Sequence, residues 1–81
     1  MGMEGEPDKR LFDHMRKLRA EIARSQGLPP YCIFQDRTLL EMARRLPDTQ
    51  EKMMSIVGVG EITFKKYGAL FLDAISSFRR I

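Results

Sequence analysis

The sequence predicts an all-α fold, a compact bundle of about five helices with one glycine-rich turn. Apolar residues recur at spacings of four, three and four in Leu11, Met15, Leu18 and Ile22, which is helical spacing. No stretch alternates with period two over a useful length, so no strand is expected. Helix starters and stoppers, among them Asp8, Gly27, Pro47 and Thr49, divide the chain into pieces short enough for a bundle.

In chain order, residues 1–7 read as a disordered lead and residues 8–81 as one helical domain. Met1-Gly2 ahead of a second methionine reads as an added start, which would make the chain a piece of something longer. Asp8 is placed to cap a helix over Lys9 to Gln26, and Gly27 suits its left-handed C-terminal cap. One face of that helix carries Leu11, Met15, Leu18 and Ile22, and the other Arg10, His14, Lys17, Glu21 and Arg24. Pro29 and Pro30 force an extended entry to Tyr31, Cys32, Ile33 and Phe34. A solvated linker gains nothing from so many apolar groups, so Ile33 and Phe34 are expected to plug the core. Cys32 is expected to be a small buried hydrophobe among them.

Asp36 is expected to cap a second helix from Arg37 to about Arg45, with Leu39, Met42, Ala43 and Leu46 inward and Arg37, Glu41 and Arg44 outward. Pro47 ends it. Asp48 or Thr49 starts a short helix over Gln50 to about Ser55, followed by the turn Ile56-Val57-Gly58-Val59-Gly60. A fourth helix is expected over Glu61 to Tyr67, and Gly68 breaks or kinks the chain. The last helix carries Phe71, Ile75 and Phe78 on one stripe, with Leu72 and Ala74 beside it. Arg79 and Arg80 form a solvated tail or a cationic helix end.

Composition narrows the function. Eighty-one residues with 43% hydrophobic content make one globular domain near the lower size limit of a self-sufficient core. One Cys and one His support neither an internal disulfide nor a four-ligand zinc site. No apolar run reaches the length of a membrane span, and residues 1–8 lack a signal-peptide core, so an intracellular, soluble chain is expected. A net charge of +3 is a modest bias that permits weak contact with nucleic acid or another anionic surface.

Catalysis fails on inventory. The acids are scattered among compensating bases, His14 has no nucleophile or second ligand near it, and Asp36 has a sufficient task as a cap. Gly58-Val59-Gly60 lacks a preceding strand and continues to Thr63, so it is not a dinucleotide fingerprint, and no Walker-type sequence occurs. No catalytic residue, metal or cofactor is assigned.

What remains are binding features, each with a plainer alternative. Ile56 to Gly60 resembles the hairpin of helix-hairpin-helix motifs, in which glycines adopt positive φ and let a phosphate approach free N–H groups of the next helix. Lys65 and Lys66 would add charge there. Phe64 departs from that motif, which prefers a small residue at its position. The alternative is a sharp turn with Val57 and Val59 in the core. Tyr31, presented by two prolines, could stack on a splayed base or pack on Ile33 and Phe34; partial exposure is expected, since those two already supply the plug. Lys17 and Arg24 on the first helix, and Arg37 on the second, are phosphate candidates, or charges on solvated faces.

The series Pro29-Pro30-Tyr31, Phe34, Asp36, Thr38-Leu39, Met42-Ala43, Pro47, Gly58-Val59-Gly60 and Tyr67-Gly68 resembles the HRDC domain, shared by RecQ helicases and the RNase D group. The likeness runs from about Lys9 to Phe78 and is nearer to the RecQ type. It implies an auxiliary domain of a 3'–5' ATP-dependent DNA helicase of bacterial cytoplasm and nucleoid, acting in DNA repair and recombination. That domain would be monomeric, bind single-stranded or partly duplex DNA weakly, and tune substrate choice, with the nucleotide and zinc sites elsewhere in the parent. It further implies Tyr31 as the aromatic offered to single strands and Gly58, Val59 and Gly60 as the hairpin, with Lys65 and Lys66 following. Two alternatives stand beside it: a protein-interaction module docking on the helicase core with little DNA affinity, and the HRDC domain of an RNase D-like exonuclease.

Overall fold

The computed structural model of the protein describes residues 6–79, so the expectations for residues 1–5 and Arg80 lie outside the described part. Helix α1 spans Lys9–Gln26. Asp8 caps it as expected, its Oδ1 accepting from the N–H groups of Arg10 at 2.9 Å and Leu11 at 3.1 Å. Gly27, at φ 68°, closes it in a Schellman arrangement: its N–H reaches the Arg24 carbonyl, and that of Leu28 reaches the Ala23 carbonyl. The buried row of α1 is Leu11, Met15, Arg19 and Ala23, each four residues apart, while Leu18 and Ile22 are only half-buried.

A short 3-10 turn, Pro30–Cys32, follows and packs on α1. As the sequence predicts, Ile33 and Phe34 enter the core and Tyr31 stays out. Cys32 does not follow its neighbours inward; it is exposed, because the tight turn swings its side chain off the inward face that only the next two residues share.

Helix α2 spans Asp36–Arg45, one residue earlier than expected, with Gln35 in the cap position and no side chain capping it. Asp36 therefore lies inside the first turn rather than ahead of it. Its carboxylate is taken by Arg19, Oδ1 to Nη2 at 2.8 Å. Leu39, Met42 and Ala43 are buried as expected. Leu46 ends α2 in the left-handed region at φ 51°, where the following proline disfavours a further helical residue.

Helix α3 is a short piece, Gln50–Met54, capped by the Thr49 hydroxyl, which accepts from the Lys52 N–H at 3.1 Å. After the glycine turn, α4 runs without a break over residues 61–79. It is α-helical at Glu61–Thr63, π-helical at Phe64–Gly68 and α-helical again at Ala69–Arg79. Gly68 thus neither breaks the helix nor separates a fifth one. Backbone angles stay right-handed across it (Ala69 at φ −63°, ψ −37°), and the missing side chain leaves room for the Phe64 ring, which lies against the site a β-carbon would occupy. Phe64, too large for the usual helix-hairpin-helix packing, is accommodated by the wider π-helical turn and the bare Gly68.

The core is continuous across the four helices. Phe34 meets Phe71 edge to face at 5.1 Å and Tyr67 at 6.5 Å, with Leu11, Met15, Leu39, Met42, Met53 and Ile75 fully buried around them. Two long-range bonds tie the ends together. The Asp8 N–H donates to the Ala43 carbonyl at 3.2 Å, and the Tyr67 hydroxyl donates to Gln26 Oε1 at 2.8 Å.

Candidate nucleic-acid interface

The anchor of the surface is Arg19, which the sequence reading missed. It occupies a core row of α1 yet carries a charge, and is only 8% exposed. Its Nη1 donates to the Phe34 carbonyl at 2.8 Å and its Nη2 to Asp36, so one guanidinium fixes the segment just after the proline turn and the start of α2 against α1. Nε is buried without an acceptor. The four-residue rhythm Leu11, Met15, Arg19, Ala23 was the available signal, since it puts Arg19 on the same inward row as three apolar residues.

This brace sets the position of Tyr31. With Pro29 extended at ψ 150° and Pro30 opening the 3-10 turn, the ring is held on a short rigid segment and is 67% exposed. No hydrogen bond or ring contact engages it among the described residues. The same turn meets α1, which carries Lys17 and Arg24; Arg37 follows the Asp36 that Arg19 holds. Lys65 and Lys66 lie on the π-helical segment, which the Tyr67–Gln26 bond attaches to the C-terminal end of α1, close in sequence to Arg24.

Charge pairing separates these cations, together with Lys9 and Arg10, from Arg44, Arg45 and Lys52. Arg44 and Arg45 share Glu41, at 2.6 and 3.1 Å, and Lys52 pairs with Asp48 at 3.1 Å. Lys17, Arg24, Arg37, Lys65 and Lys66 are all exposed, and among the described residues no carboxylate stands within ion-pair distance of any of them. The five basic residues chosen from the sequence are thus free to meet an anion.

The glycine turn differs from its expected form. Gly58 does adopt positive φ, 92°, but the space its side chain would need is filled by the Thr38 hydroxyl, which donates to the Val57 carbonyl at 3.0 Å. Gly60 is extended at φ −100°, ψ 174°, with nothing near the site of a β-carbon. Val59 is buried, whereas Val57 is 51% exposed and does not join the core. Ile62, just past the turn, is 72% exposed. No group of three or more potential metal ligands occurs among the described residues, and no described helix is long and apolar enough to cross a membrane.

Comparisons with known proteins bear on the family and the fold. The family model of the HRDC domain matches residues 8–75. The chain is 45% identical over 71 residues to the ATP-dependent DNA helicase RecQ of Bacillus subtilis, covering 88% of this chain. Its counterpart from Haemophilus influenzae is 40% identical over 74 residues, covering 91% of this chain. The chain spans only 12% of the length of either relative. Among solved structures, HRDC domain 3 of D. radiodurans RecQ superposes with a TM-score of 0.80 at 28% identity, covering 95% of this chain and 96% of that one.

Proposed function

Since the chain belongs to the HRDC domain family, we propose that it is the auxiliary nucleic-acid-binding domain of a RecQ-type ATP-dependent DNA helicase. It holds single-stranded or partly duplex DNA weakly and as a monomer, and it biases which DNA structures the parent engages. Catalysis, nucleotide and metal belong to the remainder of the parent, which acts in the cytoplasm on nucleoid DNA; the domain itself needs no cofactor.

The observation that carries this reading is the outward ring of Tyr31 on a turn braced by Arg19. An aromatic face held away from the core costs little ordering entropy on binding, and any base can stack on it. The unpaired cations Lys17, Arg24, Arg37, Lys65 and Lys66 supply attraction to phosphates around it. Few of them can be engaged at once, so micromolar or weaker affinity is expected. The test is a fluorescence-anisotropy titration of a labelled oligothymidylate at low salt. Binding should weaken with added salt by a log–log slope of roughly −0.7 per phosphate neutralised. Absence of binding at low salt removes the proposal.

A second reading, docking on the helicase core, is favoured by one observation: Val57 and Ile62, on either side of the glycine turn, are exposed apolar side chains. Amide shift changes separate the two. Single-stranded DNA should move Tyr31 and the lysines, whereas the helicase core should move Val57, Gly60 and Ile62.

A further inference from the structure

Between α1 and the proline turn lies a cleft of about 420 Å³, lined by Asp13, Arg16, Lys17, Arg19, Ala20 and Pro30. We propose that this cleft seats one backbone phosphate of a single strand, next to the nucleotide whose base stacks on Tyr31. The proposal rests on the strand-binding reading above and adds to it a located phosphate and a role for Arg16.

Charge is the first argument. Three cations line the cleft against one carboxylate, Asp13, and the Asp36 carboxylate neutralises Arg19 from α2. Three positive charges less two negative ones leave a surplus of one, which a single phosphodiester would balance. The three cations are not equivalent. The two terminal nitrogens of Arg19 are spent on Phe34 and Asp36 and its Nε is buried, so Arg19 contributes field rather than a contact. Arg16 is steadied by the Phe12 ring, 5.7 Å from its guanidinium carbon, and lies 4.0 Å from Asp13, the outer limit of an ion pair. Lys17 has no carboxylate partner. Lys17 and Arg16 are therefore the donors that can turn to an incoming oxygen.

Position is the second argument. Pro30 is both a wall of the cleft and the residue before Tyr31 in the same 3-10 turn. An anion in the cleft and a base on the ring would thus be held by consecutive residues of one rigid turn. Ala20 and Pro30 present apolar surface suited to the sugar. The volume, within the range of ligand pockets, is ample for a phosphate with its sugar.

Salt-dependent titrations of labelled oligothymidylate test the assignment, using variants at exposed positions. Lys17→Gln should weaken binding several-fold and reduce the magnitude of the log–log salt slope by about 0.7. Asp13→Asn, which removes the one carboxylate lining the cleft, should tighten binding, a gain that damage to the fold would not produce. If Lys17→Gln and Asp13→Asn both keep the wild-type affinity and slope while Tyr31→Ala loses binding, the phosphate seat is wrong and strand binding stands. If the wild-type domain binds no oligonucleotide at low salt, both fall. Inorganic phosphate alone, followed through the amide signals of Lys17 and Ala20, distinguishes the source. Shifts with phosphate but none with the oligonucleotide would make the cleft a free-anion site and overturn the strand assignment.

Discussion

The hydroxyl of Thr38 stands where any residue other than glycine at position 58 would have to place its β-carbon, and from there it bonds the carbonyl of Val57. Helix α2 and the glycine turn are joined at this point, with Thr38 itself 1% exposed. The glycine that looks most like a ligand cradle therefore also has a packing task.

Gly58→Ala should be destabilising by about 2–4 kcal/mol, combining a left-handed backbone with overpacking against Thr38. Gly60→Ala, in extended backbone with open space, should be neutral or gain up to about 1 kcal/mol by restricting the unfolded chain. Urea unfolding of the two variants checks the contrast. Equal costs would mean the turn is misplaced.

Arg19→Met keeps much of the packed stem but strands the Phe34 carbonyl, and should cost about 1–3 kcal/mol. Asp36→Asn, at a side chain 69% exposed, should cost less than about 1 kcal/mol. Thermal melts of both variants would show whether the carbonyl, rather than the ion pair, is what Arg19 is there to satisfy.

Tyr31→Ala should leave the melting transition within about 0.5 kcal/mol of wild type, since the ring buries little. The same variant should weaken oligonucleotide binding by about 1–3 kcal/mol, roughly five- to more than a hundredfold. A large loss of stability instead would show that the ring supports the fold.

Phe71→Ala should cost about 3–5 kcal/mol, because the residue is fully buried and stacked edge to face on Phe34 at 5.1 Å. In a domain this small that cost is enough to abolish the folded state at room temperature, visible as lost amide dispersion.

Much of this architecture was legible in the order of residues. Asp8, Gly27 and Thr49 sit where caps act locally, and each caps as expected because the partner N–H or carbonyl is within a few residues. Tyr31 outside and Ile33 and Phe34 inside also followed, since two plugs suffice for one opening. The misses involve partners distant in sequence. Asp36 had a plausible local task as a cap, but a guanidinium seventeen positions earlier claims it, and no periodicity announces such a pair. The packing demand on Gly58 was not visible because its neighbour Thr38 is contributed by another helix. Gly68 suggested a break because its propensity is poor; the Phe64 ring makes it a requirement of packing.

The bond from Tyr67 to Gln26 spans 41 positions, and α1 packs directly against the closing segment Ala69–Arg79. Within this domain, the first helix in chain order is thus completed by the last. Its apolar row stays only partly covered, by the proline turn and α2, until some forty further residues are added, an interval on the order of seconds. Folding during synthesis is consequently all or nothing for this unit, and a nascent chain stalled before Phe71 would present Leu11 and Met15 to chaperones.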